Sequence, residues 1–346
     1  MRNAAPILFL IFVTPCVEFL TGSSSFLAVV SVPSAAFTFF VLTWPSYAFP
    51  VLLIREAIVA WHKGLASLLA LGISYGALNE GLLAKTYLVV TPTSPSLGGG
   101  VGHWLGVNWP WVTGITLFHM IVSISVPVVL SFLIFPGTRK ERLLSDRTVR
   151  WFVALVLVEV LGILALQSAF SPTVRALLPE MLIPTAILLA GVYLARRLPL
   201  PDPTRFLQGR SARARYLVPG AFLFFVVTFV PILSFFPLPF VPDGSLSVWF
   251  FQMGSVAGVI ATIYPVGFAY LAIRFASRYS LTERQLLALV TGVMLVPLIN
   301  ALAVHDILQG DWAAAFIYIG AIVVAWRRIS LREVAPKVSV PLSVAP

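Results

Sequence analysis

The sequence predicts an all-α membrane protein, a polytopic bundle of about ten transmembrane helices with both termini in the cytoplasm. Of the 346 residues, 59% are hydrophobic and only 10% are charged, and the mean hydropathy is +0.96. An ordinary soluble domain carries roughly a quarter of its residues as charges. The composition therefore excludes a soluble globular protein, and the dominance of apolar runs excludes a disordered or fibrous chain.

Ten apolar runs have the length that crosses a bilayer, which is about 20 residues. They cover residues 5–20, 36–61, 65–88, 110–135, 151–168, 178–194, 216–240, 246–273, 286–305 and 312–326. We number these predicted spans 1 to 10. They form a single transmembrane domain over residues 1–330, and residues 331–346 form a short cytoplasmic tail.

Basic residues alternate between the connecting segments. Clusters follow spans 2, 4, 6, 8 and 10, whereas the other connections contain a single basic residue, Arg175. Because cytoplasmic segments retain Lys and Arg, this alternation orients all the spans at once. The net charge of +10 is thus explained by membrane orientation. We predict the lipid bilayer of the cell membrane as the partner, and no nucleic acid.

Span 1 has a second interpretation, a cleaved signal peptide that ends at the small residues 21–25. Pro15 and Glu18 are atypical of a signal-peptide core, so we expect the span to be retained. Cys16 is the single cysteine, and no HExxH motif occurs. We therefore predict no metal site and no cofactor.

The outer connection 89–109 is rich in proline and glycine and contains Trp104 and Trp109, with Trp111 just beyond it. These rings fit an aromatic belt at the membrane interface. The alternative is a flexible lid over a site between the helices.

Ionisable side chains within the hydrocarbon layer are costly and mark candidate sites. Gly72, Gly76 and Glu80 recur at four-residue spacing on one face of span 3. Small residues at this spacing let a second helix approach closely, so we expect Glu80 to face protein. His119 lies at a similar depth in span 4, with Ser123 one turn further along. Glu80 and His119 are the leading candidates for a functional pair.

Further polar side chains are candidates for binding a substrate or ion. They are Asn79 and Lys85 in span 3, Glu159 in span 5, and Asn300 and His305 in span 9, with Glu18 and Asp306 at similar depth. For Lys85, His305 and Asp306 the alternative is a solvated position at the interface. For Asn300 the alternative is a hydrogen bond between helices.

Arg55 and Glu56 are adjacent near the cytoplasmic end of span 2. Neighbouring residues project in different directions from a helix. We therefore expect each of them to have a separate partner elsewhere or at the interface.

Several patches between residues 14 and 136 resemble a polytopic membrane-protein family of bacteria and archaea whose members mostly have no assigned function. They are Glu18 with 21–24, Arg55–Glu56, Lys63–Gly64, Asn79–Leu82 with Lys85, Gly106–Trp111, and His119 with Ser123–Ile124 and Pro127. The resemblance implies a membrane protein and no particular chemistry.

A weaker resemblance is to the CAAX-protease-like family of intramembrane glutamate proteases. It implies that Glu80 activates water and that His119 orients the water or stabilises the oxyanion. This chain departs from the family pattern, because Asn79 replaces one Glu and Ala84 stands where Arg is expected. His305 also follows Asn300, whereas the family places His first.

An internal alignment suggests a transporter instead. Residues 36–43 align with residues 221–228, at the starts of spans 2 and 7. A shift of five spans with opposite orientation is typical of the inverted repeats of secondary transporters. The repeats here would cover about residues 1–150 and 151–330.

The leading functional hypothesis is transport of a small solute or ion through a site between spans 3, 4 and 9. Glu80 would carry a proton or bind a cation, and His119 would be its neighbour. One alternative is an intramembrane hydrolase that uses Glu80 and His119. The other is a non-catalytic subunit of a larger membrane complex.

Overall fold

The computed structural model describes residues 4–20, 24–88, 103–170, 178–201, 214–233, 245–304 and 310–334. These residues are helical apart from short connections and one antiparallel hairpin, in which His103–Trp104 pairs with Val107–Asn108. The predicted all-α bundle is confirmed at this level. Three predicted segments lie wholly or mostly outside the described residues, namely residues 21–23, the outer connection 89–109 and the C-terminal tail 331–346.

A helix occupies the position of each predicted span. The helices are α1 (Ala4–Leu20), α2 (Pro33–Ala60), α3 (Leu65–Leu83), α4 (Trp109–Ile134), α5 (Asp146–Phe170), α6 (Pro179–Arg197), α7 (Ala214–Leu233), α8 (Ser245–Arg278), α9 (Glu283–Ile299, continuing as a π-helical turn Asn300–Val304) and α10 (Trp312–Val334).

One short helix, Phe26–Ser31, lies where the sequence predicts a loop. The Ser25 side chain caps it by accepting a hydrogen bond from the Ala28 N–H at 3.2 Å. Pro33 then begins α2, because proline suits the first turn of a helix, where its missing N–H is not needed.

Eight of the described helices are long and apolar enough to cross a bilayer, and two shorter apolar helices, Ala4–Leu20 and Arg215–Val226, accompany them. The chain is therefore a membrane protein. The count of ten spans and the orientation of the termini stay predictions.

Helix α4 lies at the centre of the bundle. In its most apolar stretch 94% of the residues are buried, against 72% for α3 and 6% for α5. Helix α3 packs against α4, α6 and α8, and α7 packs against α9. A polar side chain on α3 or α4 is thus positioned among protein groups, whereas α5 lies at the periphery.

Glycines set the distance between α3 and α4. A Cβ atom added to Gly72 would lie 2.7 Å from the Met120 Cα, and one added to Gly76 would lie 2.9 Å from the Thr116 Cα. No larger residue fits without moving the backbone of α4. The predicted close approach of a second helix at this face is confirmed.

Two ends of the bundle differ in character. We call the end near the His103–Asn108 hairpin the hairpin end, and the end near the basic segment after α4 the basic end. At the basic end Glu283 pairs with Arg139 at 2.5 Å and with Arg332 at 2.6 Å. These pairs connect the segment after α4 to α9 and α10.

Arg55 and Glu56 also lie at the basic end, and the expectation that each has a partner elsewhere is confirmed, since the Arg55 Nη2 donates to the Thr138 carbonyl and Glu56 accepts two backbone N–H groups. The two side chains also bond to each other, which was not predicted. The Arg55 Nη1 donates to the Glu56 Oε1 at 2.5 Å, and these side chains are 0% and 3% exposed. The carboxylate also accepts the backbone N–H groups of Leu143 and Leu144 at 3.0 and 3.3 Å. The segment after α4 covers both residues, so the flexible Arg55 side chain turns toward the nearest buried carboxylate.

We expect Glu56→Ala to destabilise the protein by about 3–5 kcal/mol, because it leaves the Arg55 guanidinium buried without its carboxylate. The matched control is Glu333→Ala, which breaks a pair with Arg284 whose side chains are 45% and 61% exposed. Exposed pairs contribute only about 0–1 kcal/mol. Thermal unfolding in detergent measures both variants, and equal losses would contradict the assignment.

Candidate functional site

Two π-helical turns carry the predicted pair. Ala77–Leu83 ends α3 and includes Asn79 and Glu80, and His119–Ser125 interrupts α4. A π-helical turn inserts an extra residue into the helical repeat and occurs frequently at functional sites. The two turns lie directly beside the glycine contact of α3 and α4, where Gly72 faces Met120 and Gly76 faces Thr116.

Glu80 and His119 are in direct contact. The Glu80 Oε1 lies 2.9 Å from the His119 Nε2, and the Ser123 Oγ lies 2.9 Å from the His119 Nδ1. His119 is 2% exposed and the Glu80 side chain 13%. The imidazole is held on both nitrogens, and this fixes its orientation toward the carboxyl group.

The second oxygen of Glu80 is also occupied. The Thr86 hydroxyl donates to the Glu80 Oε2, and the Trp111 indole N–H donates to the Thr86 Oγ1 at 2.9 Å. Asn108 begins α4 by accepting the Trp111 N–H at 3.2 Å, and its own N–H donates to the Tyr87 carbonyl at 3.0 Å. The hairpin end of α4 therefore supports the Glu80 carboxyl through Thr86.

A second carboxyl group approaches the pair from α1. The Tyr47 hydroxyl donates to the Glu18 Oε1 and accepts the Asn79 amide at 3.2 Å. Glu18 is also close enough to interact electrostatically with Glu80 and His119. The polar network thus extends over α1, α2, α3 and α4.

Aromatic rings surround the imidazole on its other sides. The His119 ring centroid lies 5.4 Å from that of Tyr75 in an edge-to-face arrangement and 6.2 Å from that of Tyr47. Tyr75 is 1% exposed and Tyr47 is 2% exposed. These rings exclude water and lower the local dielectric, which strengthens every interaction in the network.

The arrangement suits the binding and release of a proton. Two carboxyl groups and one imidazole share a site with little access to water, and repulsion between two carboxylates in such a site is strong. A proton on any of the three groups relieves that repulsion, and the hydrogen bond between Glu80 and His119 allows these two groups to share it. The same oxygens can also attract a small cation.

Lys85 follows α3 and lies outside the membrane-spanning segment. Its ammonium donates to the Leu83 carbonyl at 3.2 Å, and the residue is 1% exposed. Its φ of +60° is left-handed, a conformation typical of glycine after a helix C-terminus. Burial lowers the pKa of the Lys85 ammonium. The alternative of a solvated interfacial lysine is wrong, because the side chain is enclosed.

The structure brings four of the predicted site residues together, namely Asn79, Glu80, His119 and Ser123. Asn300 is not hydrogen-bonded to these four residues in the described part of the chain, and its amide donates to the Leu20 carbonyl at 3.2 Å at the end of α1. Asn300 thus forms the hydrogen bond between helices that was predicted as the alternative to a binding role. His305 and Asp306 lie outside the described residues.

Glu159 is not hydrogen-bonded to this network in the described part of the chain. It lies on the peripheral helix α5, and its Oε1 is enclosed without a hydrogen-bond partner in the described part of the chain.

Sequence reasoning missed the aromatic and hydroxyl members of the site, which are Tyr47, Tyr75, Thr86 and Trp111. Such residues are common in apolar helices and at membrane interfaces, so their positions carried no signal. Trp111 is buried and donates to Thr86, so it does not have the predicted position in an aromatic belt. Trp104, in contrast, is 67% exposed.

No protein-family model, curated protein or solved structure matches this chain. The two family resemblances therefore stay predictions, and the function is argued from the geometry of the site.

We expect Tyr47→Phe to lower stability by about 1–3 kcal/mol, because it leaves the Glu18 carboxyl and the Asn79 amide without their shared hydroxyl in a buried site. Tyr193→Phe is the matched control, since Tyr193 is 63% exposed. Thermal unfolding of both variants in detergent tests this. The network would lose its support if the two variants unfolded at the same temperature.

Proposed function

We propose that this protein moves a small solute or an ion across the cell membrane, and that the Glu80–His119 pair carries a proton or binds a cation during the cycle. The observation that carries the proposal is the 2.9 Å contact of the two side chains on the central helices α3 and α4. An ionisable pair among membrane-spanning helices is retained for function more often than for stability, because it is costly to bury.

The difference between the two ends of the bundle supports transport. At the basic end the Glu283 pairs and the Arg55–Glu56 pair connect α2, α9, α10 and the segment after α4. At the hairpin end Glu80 keeps part of its side chain exposed. Access from the hairpin end with a closed basic end corresponds to one of the two states that alternating access requires.

The proposed topology has ten spans and cytoplasmic termini, so the hairpin end faces the outside and the basic end faces the cytoplasm. The alternation of basic segments supports it. Prolines within α2, α8 and α9 also support transport, because interrupted helices line the sites of secondary transporters.

Cysteine labelling tests the orientation. In a Cys16→Ser background, we expect a membrane-impermeant maleimide to label Trp104→Cys in intact cells, because Trp104 lies in the hairpin. We expect it to label Ser145→Cys, in the exposed segment before α5, only after the membrane is permeabilised. The reverse pattern would overturn the proposed topology.

Charge movement tests the role of Glu80. We expect a pH jump, or a jump in Na⁺ or K⁺, to drive a transient current in proteoliposomes on a solid-supported membrane. Glu80→Gln should reduce this current at least about tenfold, since the neutral amide neither releases a proton nor attracts a cation. Glu333→Gln at the exposed pair with Arg284 is the control. Equal currents in the wild type and Glu80→Gln would contradict the proposal.

A second candidate, an intramembrane hydrolase, is favoured by one feature. The Glu80 carboxyl group lies 2.9 Å from the His119 imidazole, so both groups are within reach of one water molecule, which Glu80 would activate. Cleavage of fluorogenic transmembrane peptides that is lost in both Glu80→Gln and His119→Gln, without charge movement after an ion jump, would favour the hydrolase over transport.

A further inference from the structure

A lateral groove lies between α2 and α5, and neither Glu80 nor His119 lines it. Its volume is about 370 Å³, and its walls include Val41, Pro45 and Phe49 from α2 and Gly162 and Ile163 from α5. The rim side chains Leu42, Leu155 and Leu166 are 42%, 44% and 61% exposed. The groove therefore opens on the surface that contacts the hydrocarbon of the bilayer.

One polar residue lines this groove. Glu159 lies near the middle of α5 and is surrounded there by aliphatic and aromatic side chains. No hydrogen bond to its carboxyl group occurs within the described part of the chain, and the Oε1 is enclosed. Glu159 is half-buried, and an enclosed carboxyl oxygen without a hydrogen bond is unfavourable in apolar surroundings.

Ordinary occupants do not satisfy Glu159. A buried water needs about 2–4 polar partners, and this groove supplies one residue. A metal cation needs several oxygen ligands, which the aliphatic walls do not supply. An acyl chain would fill the volume and leave the carboxyl group unsatisfied.

We propose that this groove binds a membrane-soluble alcohol, a hydrophobic molecule whose hydroxyl group hydrogen-bonds to Glu159 while its hydrocarbon body fills the space between α2 and α5. The hydroxyl complements a carboxyl group in either protonation state, because it both donates and accepts. An ammonium group would need an ionised carboxylate and would itself be costly to bring to this depth. The proposal does not depend on the transport function.

The shape of the groove depends on Gly162. A Cβ atom added to Gly162 meets no atom within 4 Å, so a larger side chain there projects into open space without displacing the backbone. Gly320 on α10 is likewise open and lies outside the groove. Gly162→Leu and Gly320→Leu therefore make the same chemical change, and only the first one fills the groove.

Photolabelling tests the proposal. Full-length protein in phosphatidylcholine nanodiscs is irradiated with hexadecanol carrying a mid-chain diazirine, or with the same probe lacking the hydroxyl group, and labelled peptides are identified by mass spectrometry. We expect the alcohol to label residues 41–49 and 155–166, excess unlabelled hexadecanol to compete, and the alkane probe to label these residues at least about tenfold less.

The variants separate the possible occupants. We expect Glu159→Leu and Gly162→Leu to reduce labelling at least about tenfold, and Gly320→Leu and Glu159→Gln to retain it within about threefold, because a glutamine amide still bonds a hydroxyl group. Equal labelling by the alkane probe, or unchanged labelling in Glu159→Leu, would show only a lipid-facing surface and overturn the proposal. Loss of labelling in Glu159→Gln would indicate a charged partner and would also overturn it.

Discussion

The hydrogen bond between Glu80 and His119 is the interaction on which the organisation of the site depends. Neither side chain is stable alone among apolar helices, since an ionisable group there needs a partner. Their contact at 2.9 Å requires α3 and α4 to approach closely, and Gly72 and Gly76 allow that approach. Two π-helical turns then orient the side chains, and Ser123 and Thr86 complete their hydrogen bonds.

The two ends of the bundle stabilise their buried ionisable groups in different ways. At the basic end, arginines and glutamates pair closely, and Glu56 also accepts two backbone N–H groups. The Arg55–Glu56 pair is nearly closed to solvent, whereas the Glu283 pairs are about one-third exposed, and both hold the segment after α4. At the hairpin end, acidic groups, tyrosines and an imidazole form a network in which no lysine or arginine of the described residues is bonded to Glu80. The first arrangement suits a rigid closure, and the second suits a change of protonation.

The sequence predicted the helical architecture well because apolar length and the placement of basic residues are direct physical requirements of a bilayer. Glu80 and His119 were also predictable, since their cost in hydrocarbon marks them. Tyr47 and Thr86 were not, because their role depends on π-helical turns that no single residue type signals. The direct bond between Arg55 and Glu56 was not predictable, since helical geometry alone gave no account of the segment that covers them. Asn300 shares the depth of the pair, and depth does not reveal which group a side chain bonds.

A double-mutant cycle on Glu80 and His119 tests the central claim most directly. Glu80→Gln, His119→Gln and the double variant are compared by the free energy of unfolding in mixed detergent micelles. Charge-assisted hydrogen bonds contribute about 1.5–3 kcal/mol. We therefore expect the summed destabilisation of the two single variants to exceed the destabilisation of the double variant by at least about 1 kcal/mol. Single effects that add within about 0.5 kcal/mol would show that the two side chains act independently, and would contradict the account.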